Sequence, residues 1–407
     1  MAAADEVTVN AAPARPTSAL FFIVLTIFID MLGIGILIPV IPFVVTRFGG
    51  DALTIGLLSA SFAAFQFIGA PILGQLSDRH GRRPLLLVSL LGTAIGWFAF
   101  GAATTLTLLF AARILDGLTG GNISIAQAYI ADVSRPADRS KNFGLVGAAF
   151  SLGFIIGPAI GGALSHAWGL SAPAYFAGTL ALANTVFGYF MLPESLDQTR
   201  RRSTGVTWRQ ANPLPGLISA MTSAHLGTIL AALFAFNFAA VGLQSNFVLF
   251  SFERFNWGPG QNAVLFSVIG VLGALMQGVL MRRLVHHFSD RRLALVGLSA
   301  HGLMLVGVAV APSAWMLFPI CGVMSLASGM STPIFTGMIS KSVSAEAQGA
   351  TLGITQSVSS LTRIFGPLWA GFAYSHIGRS APYWSGALIL AIAAALVRSY
   401  RAGPVAA

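Results

Sequence analysis

Charged residues are scarce in this chain of 407 residues. Asp, Glu, Lys and Arg together make up only 9% of it, whereas hydrophobic residues make up 55%. Soluble domains average about 25% charged residues, so this composition excludes an ordinary soluble globular protein. The mean hydropathy of +0.78 agrees with that conclusion. Since one membrane helix takes about 20 residues, the chain is long enough for about twelve crossings with short turns.

Cysteine is nearly absent as well. The one cysteine, Cys321, lies in an apolar run and cannot form a disulfide within the chain. The sequence also lacks the motifs of membrane-embedded enzymes, since it has no His-Glu-x-x-His, no Gly-x-Ser-x-Gly and no Cys/His cluster. We therefore expect no enzymatic activity, no metal centre and no bound cofactor.

The basic residues are distributed unevenly. The formal net charge is +10, but eighteen of the Lys and Arg residues lie at the termini or in alternate connections between apolar runs, and only three lie in the other connections. This asymmetry is the positive-inside rule, which places both termini in the cytoplasm. The remaining two, Arg113 and Arg363, lie inside apolar runs. We therefore expect membrane lipids, and no nucleic acid, as partners of the charged surface.

Apolar runs recur along the whole chain and are separated by short connections. They cover residues 19–46, 53–76, 84–104, 107–132, 142–165, 172–192, 222–251, 262–284, 292–311, 315–340, 349–374 and 381–398. We therefore predict an all-α polytopic membrane protein with twelve transmembrane helices. The longest connection, 193–221, is charged and contains three prolines, which predicts a cytoplasmic linker.

The first six runs and the last six repeat each other. Ser77-Asp78-Arg79 recurs as Ser289-Asp290-Arg291 after 212 residues, and Gly157-Pro158 recurs as Gly366-Pro367 after 209 residues. Two features with nearly the same offset indicate a duplicated unit of about 200 residues. The predicted division is a disordered cytoplasmic N-terminal tail at 1–18, two pseudo-symmetric six-helix halves at 19–192 and 222–400 with the linker 193–221 between them, and a cytoplasmic tail at 401–407.

A basic turn between the second and third runs contains the most specific motif. Residues 74–83 read GQLSDRHGRR, with Asp78 as the one acidic residue among three arginines. The segment resembles the signature loop of the major facilitator superfamily, G-x-L-[ST]-D-R-x-G-R-[KR], at every specified position. The resemblance implies two halves that rock about a site at the membrane midplane. It also implies gating roles for Gly74, Asp78, Arg79, Gly81 and Arg82.

Other motifs resemble the twelve-helix drug/proton antiporters of that superfamily, and in particular the tetracycline-efflux group. Residues 32–42, LGIGILIPVIP, match the first-helix motif, and their paired prolines predict a kink near the periplasmic end. Residues 153–162 resemble the fifth-helix motif of antiporters, which implies gating roles for Gly157, Pro158 and Gly161. Ordinary packing through small residues is the alternative explanation of these glycines.

Charged residues within the apolar runs are the candidates for proton coupling. Asp30 lies near the middle of the first run, where a carboxylate costs about 2.5–3.5 kcal/mol to insert and therefore faces a cavity or a partner. An ion pair that never titrates is the alternative. Arg113 and Asp116 are three residues apart on one helix face and can neutralise each other. The resemblance gives Arg113 a part in proton transfer, whereas Asp116 is either its resting partner or a second proton site.

Two further charged residues have expected partners. Arg363 is expected to form a structural ion pair at the interface of the halves, because a cation inside the membrane needs a counter-charge or exposed carbonyl groups. Asp132, at the cytoplasmic end of the fourth run, is expected to pair with the basic turn and to act in gating.

Uncharged polar residues on potential pore helices are the candidates for substrate binding, although each can instead join two helices. They are Gln66, Asn122, Gln127, Asn237, Gln244 and Asn246, to which we add His301.

Three positions depart from the tetracycline pumps. Gly96, Gly273 and His301 stand where those pumps have an aspartate, a histidine and an aspartate associated with the metal–drug complex. The resemblance therefore implies an exporter of a small amphipathic compound in a bacterial inner membrane, driven by the proton gradient, with little or no transport of tetracycline. A proton-coupled importer of a small metabolite is the alternative.

Overall fold

The computed structural model describes residues 17–135, 138–197, 201, 218, 220–222, 224–343 and 348–399. Within these ranges the chain is helical apart from short connections, and they contain no strand. Nine of the helices in this part are long and apolar enough to cross a membrane. The predicted tails and most of the predicted linker lie outside the described residues, so the division into domains stays a prediction.

Eight helices precede the predicted linker, and we call them the N-terminal group. They are α1 (Thr17–Leu37), α2 (Ile41–Arg47), α3 (Ala52–His80), α4 (Arg82–Ala102), α5 (Leu106–Thr119), α6 (Asn122–Val133), α7 (Arg139–Trp168) and α8 (Ala172–Met191). Seven helices follow, and we call them the C-terminal group. They are α9 (Ala224–Phe255), α10 (Pro259–Leu275), α11 (Met281–His287), α12 (Asp290–Val310), α13 (Leu317–Lys341), α14 (Gln348–His376) and α15 (Ala381–Ser399).

Three of the predicted runs are interrupted. The first breaks between α1 and α2, and Pro42 then lies in the first turn of α2, where a missing N–H costs no hydrogen bond. The predicted kink at the paired prolines is thereby confirmed. The fourth run breaks at Gly120–Gly121, between α5 and α6. The eighth contains a π-helical turn at Met276–Leu280.

Glycines on α7 bring this helix directly against α1. A Cβ at Gly153 would lie 2.6 Å from the Cβ of Met31, and one at Gly157 would lie 2.7 Å from the Cα of Gly35. Gly161 lies against the carbonyl of Ile36. The glycines of the fifth-helix motif therefore act as a close-packing face within the N-terminal group.

The two groups contact each other through α3 and α14. Gly56 lies against the carbonyl of Pro367, and a Cβ at Gly371 would lie 2.6 Å from the carbonyl oxygen of Ala52. The same antiparallel register would set Gly353 opposite Ala70, but nothing lies within 4 Å of a Cβ at Gly353. The two helices therefore diverge along their length.

A second contact, between α7 and α10, shows the same divergence. Gly162 meets the Cβ of Ala263, and a Cβ at Gly270 would lie 2.9 Å from the Cα of Ile155. The same register would set Gly147 opposite Gly278, yet both glycines face open space. We call the end of the molecule with the α2–α3 connection the closed end, and the end with the basic turn after α3 the open end.

Candidate substrate cavity and proton-coupling residues

A cavity of about 330 Å³ lies between the N-terminal and C-terminal groups, beside their contact. Most of its wall is apolar, with Phe62, Phe150 and Phe154 supplying aromatic rings. Its polar residues are Ser59, Gln66, Gln244, Ser245 and Arg363. The structure thus brings two of the predicted substrate-binding residues, Gln66 and Gln244, to the same cavity. We call it the central cavity.

A second cavity, of about 230 Å³, lies mainly within the C-terminal group and shares Gln244 with the central cavity. His301 lines it and is 1% exposed. The Nδ1 atom of His301 lies 3.0 Å from the Ser328 hydroxyl, whereas its Nε2 atom has no hydrogen-bond partner among the described residues. His301 therefore belongs to this side cavity and not to the central one.

The other predicted substrate-binding residues line neither cavity. Asn237 donates a hydrogen bond to Ser359 at 3.3 Å and so joins α9 to α14. Asn246 is fully buried, and neither polar atom of its side chain is hydrogen-bonded within the described chain. Gln127 is exposed on α6. The remaining one, Asn122, contacts the candidate proton site.

Asp30 is buried on α1 and is 8% exposed. Its Oδ2 atom accepts a hydrogen bond of 2.5 Å from the Nδ2 of Asn122 on α6. Among the described residues no cation lies within ion-pair distance of Asp30, so the predicted alternative of a locked ion pair is not observed. The next residue, Met31, lines the central cavity. Asp30 therefore lies one residue from the cavity wall, held by a neutral amide.

Arg113 and Asp116 form the predicted pair on α5. The Nη1 of Arg113 lies 3.3 Å from the Oδ2 of Asp116, and both residues are buried. The guanidinium also lies over the rings of Trp97 and Phe100, at 4.6 and 4.8 Å from their centres. The charge of Arg113 is therefore balanced by a carboxylate and two aromatic faces.

Asp116 also lies directly against Gly96 on α4, which is one of the three positions that differ from the tetracycline pumps. A Cβ at Gly96 would lie 2.9 Å from the Cβ of Asp116. The space that a side chain at position 96 would enter is thus taken by an aspartate from the neighbouring helix.

Arg82 is the centre of the polar contacts at the basic turn. Its guanidinium bonds Asp78 at 2.5 Å, Asp132 at 3.1 Å and the Ser77 hydroxyl at 2.8 Å. The predicted pairing of Asp132 with the turn is thereby confirmed. Gly81 adopts a φ of +106°, which side chains rarely tolerate, so this position requires glycine. By contrast, Gly74 faces open space and Arg79 is exposed.

Glu194 is a contributor to the turn that sequence reasoning missed. Its carboxylate accepts the backbone N–H groups of Arg82 and Arg83, at 2.8 and 3.2 Å, at the start of α4. A carboxylate at a helix N-terminus satisfies free N–H groups and favours the helix dipole. An acidic residue just after α8 is visible in the sequence as a possible partner of the basic turn. Because it lies 112 residues from Arg82, the sequence does not show that the two meet.

Arg363 differs from Arg113, the other arginine inside the apolar runs. It is exposed toward the central cavity on α14 and forms neither an ion pair nor a hydrogen bond with any described residue. The expected structural ion pair at the interface is therefore wrong for the described part of the chain. The sequence placed Arg363 inside the membrane, but it did not show which face of α14 carries it.

Comparisons with known proteins agree with this architecture. The family model of the Major Facilitator Superfamily matches residues 23–367 and 278–406. The chain is 34% identical over 375 residues to the class C tetracycline resistance protein of Escherichia coli, covering 91% of this chain and 93% of that protein. It is 31% identical over 360 residues to multidrug resistance protein 2 of Bacillus subtilis, covering 87% and 88% of the two chains.

Solved structures show the same fold. A bacterial homologue of the human lysosomal transporter Spinster, in an inward-facing and unoccupied conformation, has a TM-score of 0.77 at 15% identity. The match covers 97% of this chain and all of that one. The chain therefore belongs to the Major Facilitator Superfamily, a family of membrane transporters and not of enzymes.

Proposed function

We propose that this protein is a proton-coupled efflux transporter, which exports a small amphipathic, drug-like compound in exchange for protons. The tetracycline and multidrug resistance relatives support export as the direction of transport. The central cavity supports the size and character of the substrate, because small-molecule sites are mostly apolar with a few well-placed polar groups. The proposal includes a bacterial inner membrane, with the basic turn and both termini on the cytoplasmic side.

The observation that carries the proposal is the position of Asp30. A carboxylate in the membrane interior with no cation partner is a candidate for a site that gains and loses a proton. Asn122 can hydrogen-bond Asp30 in either protonation state, so no ion pair has to break when a proton arrives. Because Met31 lines the cavity, protonation of Asp30 and occupancy of the cavity can influence each other through adjacent residues on α1.

Alternating access would follow from the two ends of the molecule. In the state described, the central cavity lies beside a tight contact at the closed end, while the helices diverge toward the open end. Substrate enters from the open end, which faces the cytoplasm in this proposal. Rocking of the two groups then opens the other end, and Asp30 takes up a proton from the periplasm to favour the return.

Proton coupling can be tested in everted membrane vesicles that carry a pH gradient. Addition of a transported compound from a panel of hydrophobic antibiotics and dyes should partly collapse that gradient. Asp30→Asn should abolish the collapse while the protein still accumulates in the membrane. Asp197→Asn, the same change at an exposed residue outside the helices, should behave as wild type.

Two outcomes would contradict this proposal. Full active transport by Asp30→Asn would remove Asp30 from the coupling mechanism. Proton-driven accumulation of the compound inside intact cells, in place of extrusion, would favour the importer.

A further inference from the structure

Arg363 is the one described cation that faces the central cavity. It lies near the middle of α14 and shares the cavity wall with Gln66 on α3 and Gln244 on α9. A guanidinium presents five N–H donors in a planar fork and stays charged, so it needs acceptors. Within the described chain it has neither an ion pair nor a hydrogen bond. The described residues thus leave these donors available to a bound ligand.

The two carboxylates inside the apolar runs do not serve as partners of Arg363. Asp30 is bound to Asn122, and Asp116 is paired with Arg113. Arg113 provides an internal comparison, because its charge is met by Asp116 and two aromatic rings and it is only 7% exposed. Of the two arginines inside the apolar runs, Arg113 is thus neutralised by its neighbours, whereas Arg363 has no partner among the described residues.

The surroundings of the guanidinium limit what can bind there. The cavity of about 330 Å³ is apolar apart from Arg363, two glutamines and two serines. Aromatic rings from Phe62, Phe150 and Phe154 lie on its wall. Such a site accepts a flat apolar body that carries one acidic group, because the fork of an arginine matches a carboxylate in two parallel hydrogen bonds.

We propose that the transported compound is an amphipathic, aromatic monoanion whose acidic group binds Arg363 in the central cavity. This inference rests on the proposed efflux function and names the chemical class of its substrate. Gln66 and Gln244 supply neutral polar contacts beside the ion pair. The anion of a membrane lipid offers the same acidic chemistry, but Arg363 lies near the middle of α14 and faces the cavity between the two groups.

The test uses 9-anthracenecarboxylate and its uncharged amide, two fluorescent compounds of nearly the same shape. Binding to the full chain in phosphatidylcholine nanodiscs is measured by quenching of tryptophan fluorescence, with empty nanodiscs as the blank. We expect Arg363→Gln to weaken binding of the carboxylate at least tenfold and to change binding of the amide less than twofold. Arg363→Lys should restore most of the loss, and Arg283→Gln, on the exposed open end, should have no effect.

Equal effects of Arg363→Gln on the two compounds, or no effect on the carboxylate, would overturn the inference. Should that variant fail to fold, the wild-type protein still decides, because tighter binding of the amide than of the carboxylate is incompatible with the proposal. Adding phosphatidylglycerol to the nanodiscs should leave carboxylate binding unchanged. Competition by that lipid would instead identify a headgroup site.

The same variants separate this inference from the proposed efflux function. If proton-driven export persists while Arg363→Gln affects the carboxylate and the amide equally, the anion proposal is wrong and the efflux proposal stands. If no compound shows proton-coupled transport by the wild-type protein, the efflux proposal is wrong, whatever the result with the two anthracene compounds.

Discussion

The hydroxyl of Ser375 donates a hydrogen bond of 2.8 Å to the Oδ2 of Asp51, across 324 residues of sequence. This bond joins the start of α3 to the end of α14 at the closed end. The backbone N–H of Leu53 donates to the same hydroxyl at 3.2 Å. Ser375 thus forms a polar link between the N-terminal and C-terminal groups, beside the glycine contacts of the same two helices.

Ser375→Ala should therefore favour opening of the closed end. One hydrogen bond contributes about 0.5–1.5 kcal/mol, so we expect the population of that state to rise about two- to tenfold. Spin labels on cysteines at Thr104 and Ser313, two exposed residues of the closed end, report the distance between the groups. The single native cysteine, Cys321, is buried and does not compete for label. An unchanged distance distribution would remove the link from the gating mechanism.

The pH dependence of this link follows from the pKa of Asp51. Burial alone would raise that pKa, but hydrogen bonds from Thr54 and Ser375 outweigh it and hold the pKa below its ordinary 3.8. The link is thus fully present above the ordinary pKa and is lost as the pH falls through the lowered one. We expect the spin-label distances to be constant between about pH 5 and pH 8. A transition within that window would require another titrating group.

Gly371→Ala should act on the same contact by steric means. The added Cβ would lie 2.6 Å from the carbonyl oxygen of Ala52, and overpacking of this kind costs about 1–3 kcal/mol. We expect the spin-label distances to lengthen and transport to slow by about fivefold or more. Gly353→Ala, on the same helix but in open space, is the matched control and should leave both unchanged. Equal effects of the two substitutions would show that helix propensity, and not the contact, is responsible.

Asp78→Asn or Arg82→Cys should impair conformational cycling more than substrate binding. Arg82 holds Asp78, Asp132 and Ser77 together at the basic turn, far from the cavity. Hydrogen bonds to charged groups contribute about 1.5–3 kcal/mol each, so transport should fall more than tenfold. Equilibrium binding of a transported compound should change less than threefold. Binding that weakens as much as transport would count against a gating role, and Arg292→Gln serves as the control.

Tetracycline resistance should be weak or absent when this protein is expressed in a drug-sensitive host. A cationic metal–drug complex needs anionic or oxygen ligands, whereas the central cavity carries a free arginine and no described carboxylate lines it. Asp116 fills the space beside Gly96, but it is paired with Arg113. Strong resistance confined to tetracycline, and lost on Asp30→Asn, would show that these differences do not prevent transport of the metal–drug complex.

The helical architecture could be predicted because it depends on local features. Apolar runs set the membrane helices, and the prolines at 39 and 42 set the break after α1. The Arg113–Asp116 pair was also predictable, since three residues along a helix bring side chains to one face.

Contacts between distant segments could not be obtained in the same way. The Asp51–Ser375 bond and the support of Arg82 by Glu194 depend on tertiary packing over 324 and 112 residues. For Arg363, the apolar run predicts a position inside the membrane but not the rotation of α14, and that rotation decides whether the side chain forms an ion pair or lines a cavity. The polar residues show the same limit, because Gln66 and Gln244 reach the cavity while Asn237 joins two helices.

The glycine contacts between α3 and α14 have a mechanical consequence. Gly56 and Gly371 meet carbonyl groups of the opposite helix, so no side chain can change rotamer to take up the movement. The closed end is therefore a rigid stop that limits how far the two groups can rotate toward each other. These backbone contacts cannot adjust to make room for a bulky substrate. In the proposed transport cycle, a large substrate would therefore have to be accommodated where the helices diverge and side chains have room to rearrange.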